Sequence, residues 1–162
     1  MFIQGVVTCL GQAKELDEID KQIIKLLQDD SRLSYKKIAD ELGISVGTAY
    51  NRIKNLEEKK VIKGYTIIAD PLKLGLEITA VILIQADGAH LTKIEQDIAK
   101  LSNVISVYDT TGDFDMIVIA RFQNRSSLNV FIKSILSMRY LKRTVTNVVL
   151  NTIKENQKVD MS

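Results

Sequence analysis

The change of hydrophobic period along the chain constrains its fold more than any other feature. Across residues 16–63 apolar residues recur at helical spacing, as Ile19, Ile23 and Leu27 do at four-residue steps. From residue 61 onward the pattern becomes typical of strands, in segments such as ITAVILIQA and MIVIARF. We therefore predict an α+β protein with a helical N-terminal half and a sheet-forming C-terminal half.

The N-terminal half predicts three helices joined by short turns. Asp17, Ser34 and Ser45 stand where N-caps are expected. Gly43 is placed to end the second helix, and the third runs to about Lys59. Helix, glycine-containing turn and helix is the helix-turn-helix arrangement, whose second helix enters the DNA major groove.

The third helix has one apolar face and one small, polar and partly basic face. The apolar face, expected to pack on the other two helices, carries Val46, Ala49, Ile53 and Leu56. Small residues let the backbone approach a duplex, and free N–H groups at a helix N-terminus favour phosphate. Asn pairs with adenine, and Arg pairs with guanine or phosphate. The candidate DNA-binding residues are Ser45, Gly47, Thr48, Asn51, Arg52, Lys54 and Asn55.

A structural explanation of the same residues competes with DNA binding. The Ser-Gly-Thr stretch could be an N-cap followed by a poorly formed first turn in a purely structural three-helix unit. Helix-turn-helix look-alikes are common, but the spacing favours DNA binding. The following KVIKGYTIIA could supply a wing, which strengthens that interpretation.

The C-terminal half predicts a ferredoxin-like βαββαβ domain. Asp70 and Pro71 mark a turn and a boundary, and after Gly75 the predicted order is β-α-β-β-α-β. Its second helix has Ser126 or Ser127 as the expected N-cap, and its last strand is the segment TVTNVVLNTI, from Thr144 to Ile153. The predicted divisions are an N-terminal extension (1–15), the winged helix-turn-helix domain (16–64), a linker strand or hinge (65–76), the ferredoxin-like domain (77–154) and a tail (155–162).

The strand ITAVILIQA is apolar on both faces. Val81 and Leu83 lie on one face. The other face carries Ile78, Ala80, Ile82 and Ile84. Two helices can cover only one side of such a sheet, so the other side must also be buried. A second copy packed sheet to sheet meets this need, and it would supply two reading helices for two half-sites. We therefore expect a homodimer.

The segment TTGDFD joins two predicted strands and is the candidate effector site. Gly112 allows a backbone conformation closed to other residues, and Asp113 and Asp115 could accept hydrogen bonds from an ammonium group. Nearby backbone groups could receive a carboxylate. Gly and Asp are also turn residues, so spacing alone favours a simple hairpin turn.

Composition excludes several other classes of protein. The chain has a net charge of +2 and one cysteine, Cys9, so it holds no internal disulfide and no cysteine pair with metal spacing. No apolar run approaches a membrane span, and the opening residues lack the basic region of a signal peptide. We expect a cytoplasmic protein without metal, cofactor or catalytic site; residues 1–15 form either a floppy leader or an extra strand.

Residues 16–75 resemble the N-terminal half of the Lrp/AsnC, or feast/famine, transcription regulators. NVISVYDTTGDFDMIVIA likewise resembles the effector-binding half of that family, with its Gly-Asp-Tyr/Phe-Asp signature, and the match extends to Lys154. Lys60 is a departure, because the family usually has Gly at the end of the third helix. The points of resemblance in the first half include Leu16, Asp17, Asp20, Leu27, Arg32, Ile38, Ala39, Leu42, Gly43, Ser45, Arg52, Ile53, Leu56, Val61, Ile62, Gly64, Tyr65 and Gly75.

The resemblance implies a regulator that binds double-stranded DNA and senses a free amino acid. In the family the loop lies between dimers and the bound amino acid alters assembly into tetramers or octamers. The effector-binding residues that it implies, with weaker candidates at the first position and on the last strand, are Thr111, Gly112, Asp113, Phe114, Asp115, Thr144 and Thr146.

Two other functions fit the same architecture. Sirohaem decarboxylases look similar, but they need basic and histidine residues around a tetrapyrrole, and His90 is the one histidine of this chain. The third possibility is a ligand-binding or scaffolding module whose helix-turn-helix no longer binds DNA.

Overall fold

The structure, a computed structural model, describes residues 16–160 and divides into two compact units. The first unit contains residues up to Ile67 together with the segment from Asn156, and the second is Ile68–Glu155. Both predictions for residues 1–15 therefore lie outside the described residues. Within residues 16–160, none of the helices has the length and apolar character needed to cross a membrane.

The first unit contains the three predicted helices. They are α1 (Glu18–Asp29), α2 (Tyr35–Leu42) and α3 (Val46–Glu58). Each begins with its predicted N-cap, whose side-chain oxygen accepts a backbone N–H three residues on, and these caps are Asp17, Ser34 and Ser45. The glycine stop is also confirmed, because Gly43 ends α2 with φ at 64°.

The core of the first unit is formed by one face of each helix. Its fully buried members are Ile23, Ile38, Ala39, Ala49, Ile53 and Leu56. The prediction that Val46 shares this face is wrong, since Val46 is 47% exposed. Val46 is the first residue of α3 and lies one turn before Ala49, where the buried stripe begins.

The third helix ends in a Schellman motif with a lysine at the left-handed position. Lys60 has φ at 56°, its N–H donates to Glu57 O at 2.9 Å, and Val61 N–H donates to Leu56 O at 2.9 Å. The resemblance to the Lrp/AsnC family implies glycine at this position, and a side chain here strains the backbone. The motif therefore forms despite the lysine.

Replacing Lys60 by glycine is expected to stabilise the first unit by about 1 kcal/mol, because glycine relieves the left-handed strain. Thermal or urea unfolding of the two proteins measures the difference. Lys59→Gly is the matched control, since Lys59 has φ at −76° and glycine there should destabilise by roughly 0.5–1 kcal/mol. Equal effects of the two substitutions would contradict the assignment of strain to Lys60.

The segment predicted as a wing and linker strand is not a strand. The described chain has no strand between Lys59 and Glu77, and Ile67 and Ile68 are 84% and 81% exposed. A strand exists only where its backbone groups pair with a neighbour, and no described strand lies alongside this segment. The predicted turn is present, with Asp70 Oδ1 accepting Leu72 N–H at 2.9 Å.

The second unit has the predicted βαββαβ order. Its elements are β1 (Ile78–Ala86), α4 (Leu91–Ala99), β2 (Val104–Asp109), β3 (Met116–Phe122), α5 (Arg125–Leu136) and β4 (Leu141–Val148). The strands form one antiparallel sheet in the order β2-β3-β1-β4. This is the arrangement of a ferredoxin-like domain, and the predicted fold class is confirmed.

Helices α4 and α5 pack on one face of the sheet. Phe122 and Phe131 meet there edge to face with ring centroids 5.0 Å apart. The buried residues of this layer are Ala80, Ile82, Ile84, Ala86, Ile94, Ile98, Met116, Val118, Ala120, Phe122, Phe131 and Ile135.

The other face of the sheet, which we call the open face, is also apolar. Val81 pairs with Ile119, and Leu83 pairs with Ile117 on one side and Val145 on the other. Because cross-strand partners share a face, these five residues form one patch. All five are half-buried, so the prediction that β1 is apolar on both sides is confirmed.

Two predicted boundaries in the second unit are wrong. The N-cap of α5 is Asn124 rather than Ser126 or Ser127, because Asn124 and Ser127 form a reciprocal capping box. The last strand was predicted from Thr144 to Ile153, but it ends at Val148. Its pairing with β1 continues for one more hydrogen bond, from Val149 N–H to Thr79 O at 2.9 Å. Because β1 itself begins at Ile78, the strand has no partner that would extend it to Ile153.

Candidate DNA-reading helix and ligand loop

Six of the seven predicted DNA-binding residues lie together on an exposed surface of the first unit, which we call the reading face. The helix start is well ordered, since Ser45 Oγ accepts Thr48 N–H at 3.0 Å and lies 2.8 Å from Thr48 Oγ1. No acidic residue occupies the first turn of α3, so nothing there opposes an approaching phosphate. The reading face consists of Ser45, Gly47, Thr48, Asn51, Lys54 and Asn55.

Arg52, the seventh predicted residue, is placed differently. Its Nη1 donates to Asp17 Oδ2 and to Asp20 Oδ1, the latter at 2.8 Å, and its side chain is only 28% exposed. The hydrogen bond that Arg52 donates to Asp17 raises the pKa of Arg52 above its ordinary value, and the bond to Asp20 adds to this effect. The same contact lowers the pKa of Asp17. The guanidinium is therefore directed at α1 rather than presented on the reading face.

Two carboxylates that were not among the predicted site residues therefore bind Arg52. Asp17 and Asp20 are one turn apart at the start of α1, and Arg52 lies on the flank of α3 between its buried and exposed faces. The sequence offered two signals for this contact: an acidic pair at three-residue spacing and a cation at the edge of the buried face of a helix. Neither indicates which helix faces which.

The segment between β2 and β3 borders a cavity of about 580 Å³ at the edge of the open face. Gly112 has φ at 125°, a conformation that L side chains rarely adopt, so glycine is needed here. The cavity, which we call the loop cavity, combines apolar and polar groups. Its lining residues are Leu83, Asp109, Thr110, Thr111, Asp113, Phe114 and Ile117.

The two predicted effector aspartates have different environments. Asp113 is exposed and lines the loop cavity. Asp115 is half-buried: its Oδ2 accepts Ala86 N–H at 2.8 Å, and its own N–H donates to Ile84 O at 3.0 Å. Asp113 is therefore available to a ligand, whereas Asp115 fastens the loop to the end of β1.

Phe114 contributes a ring to the loop cavity and is held on two sides. Thr110 Oγ1 donates to Phe114 O at 2.9 Å, and the Arg143 guanidinium lies 5.7 Å from the ring centroid, within cation–π range. Arg143 was not among the predicted residues. It lies on β4 opposite Gln85, and only the register of the sheet brings it to Phe114.

Thr144 and Thr146 are not brought to the loop cavity. They pair with Ile84 and Ile82, so they lie on the helix-covered face of the sheet, while the cavity lies on the open face. One residue of register separates the two faces, and the composition of the strand does not fix that register. No group of three potential metal ligands occurs within residues 16–160.

Asp109, on the cavity wall, also affects the pKa of Glu95, a carboxyl group on α4. Glu95 Oε1 on α4 is shielded from solvent and has no hydrogen-bond partner among the described residues. Burial raises the pKa of Glu95, and the negative charge of Asp109 raises it further. The ionised form of Glu95 is therefore disfavoured in the folded protein.

Glu95→Gln is expected to increase the free energy of unfolding at pH 7. A raised folded-state pKa means that the penalty is absent below pH 4.5, the ordinary value, and develops as pH rises through the folded pKa. Unfolding curves of both proteins at pH 4 and pH 7 should show the gain only at pH 7. Asp97→Asn, which removes an acid paired with Lys100 on the same helix, should give no such gain. A gain for Glu95→Gln that is independent of pH would refute this origin.

Each of the two units matches a known protein family. Residues 16–63 match the model of a winged helix-turn-helix DNA-binding domain, and residues 79–159 match that of the Lrp/AsnC ligand binding domain. An uncharacterised HTH-type transcriptional regulator of Pyrococcus abyssi is 48% identical over 145 residues, covering 90% of this chain and 99% of the relative.

Solved structures show the same fold at lower identity. The AsnC protein of E. coli superposes with a TM-score of 0.82 at 23% identity, over 89% of this chain and 98% of that one. The regulator NMB0573 of Neisseria meningitidis, solved in complex with L-Met, gives 0.83 at 23% identity, over 91% and 97%. Together with the two domain matches and the Pyrococcus relative, these findings show that the chain belongs to the Lrp/AsnC family and is a DNA-binding transcription regulator with a ligand-binding domain, not an enzyme.

Proposed function

We propose that this regulator acts in the cytoplasm as a homodimer joined sheet to sheet, reads specific DNA sites with the reading face of α3, and responds to a free amino acid bound in the loop cavity. Higher assembly into tetramers or octamers is part of the proposal. The observation that carries the DNA-reading part is Gly47, a glycine in the first turn of a helix with no internal reason to be glycine.

Glycine inside a helix is less stable than alanine by roughly 0.5–1 kcal/mol. At Gly47 an added Cβ would meet only Ser45 Oγ, at 3.9 Å, which is ordinary contact. Its φ is not in the left-handed region. Neither packing nor backbone geometry within the protein therefore requires glycine, and a close approach from outside explains it. A duplex at the N-terminal end of α3 makes that approach.

Gly47→Ala is expected to stabilise the protein by roughly 0.5–1 kcal/mol and to weaken DNA binding at least about tenfold. The added methyl group improves the helix but prevents the backbone from reaching the duplex. Thermal unfolding measures the first effect, and a gel-shift titration on a duplex selected from a random pool for binding to this protein measures the second. A variant that is more stable and binds DNA as well as before would contradict this role of Gly47.

The open face supports the dimer. Its five half-buried residues form a continuous apolar patch across three neighbouring strands, while both helices cover the opposite face. Apolar patches of this kind mark protein–protein contacts. A second copy offers the same apolar surface, and a two-fold pairing buries both surfaces at once.

The loop cavity supports an amino-acid effector. Asp113 can accept hydrogen bonds from an ammonium group, and the apolar wall of Leu83, Phe114 and Ile117 suits an aliphatic side chain. The carboxylate of the amino acid would be received by backbone N–H groups near the loop. The Neisseria regulator of the same fold was solved with L-Met, which is in keeping with this class of ligand.

Selection of bound duplexes from a random pool, repeated with each free amino acid added, tests the whole proposal. We expect one enriched sequence with two related half-sites and an amino acid that changes its recovery. Affinity for this duplex should fall steeply with salt, because phosphate contacts release counterions. No enrichment of any duplex would favour the scaffolding alternative, and enrichment insensitive to all amino acids would exclude the effector part.

A further inference from the structure

Two carboxylates from α1 converge on one guanidinium nitrogen from α3. Asp17 uses both of its oxygens: Oδ1 accepts Asp20 N–H at 2.8 Å and caps α1, while Oδ2 accepts from Arg52 Nη1. Asp20 Oδ1 accepts from the same Nη1 at 2.8 Å. Within residues 16–67 this is the ion pair that connects two different helices.

The position of Arg52 on α3 explains why this contact matters for DNA reading. Arg52 follows Asn51 of the reading face and precedes Ile53 of the buried face. Packing of Ile53 against the core fixes how deeply α3 sits, but apolar contacts are not directional. Hydrogen bonds depend on angle, and the two bonds to α1 oppose rotation of α3 about its own axis.

The charge around Arg52 argues against a contact with DNA. One guanidinium beside two carboxylates makes a local group with a net charge of −1, and such a group does not attract phosphate. Lys54, by contrast, is an exposed cation on the reading face, paired only loosely with Glu58 at 3.8 Å. The two basic residues of α3 therefore have different roles.

We infer that Arg52 is a positioning residue, which holds the reading face at the angle needed for base contacts through Asp17 and Asp20 and does not itself touch DNA. The inference rests on the proposed use of α3 as the reading helix. Base-edge hydrogen bonds require heavy-atom distances near 2.7–3.2 Å, so a small rotation of α3 breaks them.

The double variant Asp17→Ser, Asp20→Ala separates positioning from direct contact by the sign of its effect. Serine keeps the N-cap at position 17, neither new side chain offers Arg52 a carboxylate, and the loss of two negative charges should strengthen binding if electrostatics alone acted. If Arg52 positions α3, affinity for the selected duplex should instead fall by about tenfold. Glu41→Gln, which removes an exposed acid of α2, is the charge control and should leave binding equal or slightly tighter.

The salt dependence of binding provides the second measurement. Arg52→Lys keeps the charge but cannot bond both carboxylates in the same geometry, so affinity should fall while the slope of log affinity against log salt stays unchanged. Lys54→Ala should reduce that slope by about 1, as loss of a phosphate contact does. Circular dichroism confirms that each variant is folded at the temperature of the titration.

The outcomes distinguish this inference from the proposed function. Tighter binding by the double variant, or a slope for Arg52→Lys that falls as it does for Lys54→Ala, would overturn the positioning role. If neither the Arg52 nor the Lys54 variant changed binding, α3 would not be the reading helix, and the proposed function itself would fail. Loss of affinity in Arg52→Lys and in the double variant, at unchanged slope in the former, supports the inference.

Discussion

Val81→Lys is expected to convert the regulator into monomers and to weaken its binding to a two-half-site duplex. Val81 lies in the middle of the open face, opposite Ile119, and does not line the loop cavity. In a monomer the lysine reaches water, so the fold persists. In a sheet-to-sheet dimer its ammonium group would be buried without a partner, at a cost of several kcal/mol. The dimer dissociation constant should rise by at least about a hundredfold.

Sedimentation or light scattering over a range of protein concentrations measures the change in mass, and a gel-shift titration measures the DNA affinity. Thr92→Lys is the matched control, because it adds the same charge at an exposed position of α4, a helix on the covered side of the sheet. The control should remain dimeric. A dimer that tolerates Val81→Lys would show that the open face is not the interface.

The parts of the fold that could be predicted are those decided by local chemistry. Asp17, Ser34 and Ser45 cap helices because a short side chain can accept an N–H three residues ahead whatever surrounds it. That β1 is apolar on both of its faces can likewise be predicted from the alternation of its residues alone. These features need no knowledge of distant residues, and the structure has them where the sequence placed them.

The predictions that were wrong concern features that depend on partners far away in the chain. The last strand stops short of Ile153 because its pairing with β1 ends near Val149, whose N–H donates to Thr79 O, and a strand's own residues do not record the length of its neighbour. The segment around Ile67 has good strand composition but no strand beside it. The contacts of Arg52 lie 32 and 35 residues away, and composition cannot reveal them.

The ligand loop illustrates the same limit at closer range. Asp113 and Asp115 belong to one signature and are two residues apart, so the sequence assigned both to an ammonium group. In the structure the Asp113 carboxylate lines the loop cavity and the Asp115 carboxylate bonds the backbone of β1. Their two roles can therefore be separated by experiment.

Asp115→Ala is expected to destabilise the second unit by about 1–3 kcal/mol, whereas Asp113→Ala should leave its stability nearly unchanged. The first substitution removes the acceptor of Ala86 N–H, a half-buried hydrogen bond of 2.8 Å, and leaves that donor without a partner. The second removes an exposed carboxylate that makes no contact needed by the fold. Urea unfolding of the two variants beside the parent protein measures the difference.

The ligand response, unlike the stability, should depend on Asp113 and not on the charge of Asp115. With the amino acid found by duplex selection, Asp113→Ala should lose the ligand-dependent change in assembly or DNA binding while it still binds DNA, because the ammonium group has lost its acceptor. Asp115→Asn should retain that response, since its amide oxygen can still accept Ala86 N–H and hold the loop in place. An unchanged response in Asp113→Ala would place the effector outside the loop cavity. Loss of response in both variants, with the fold intact, would mean that Asp115 also contacts the ligand.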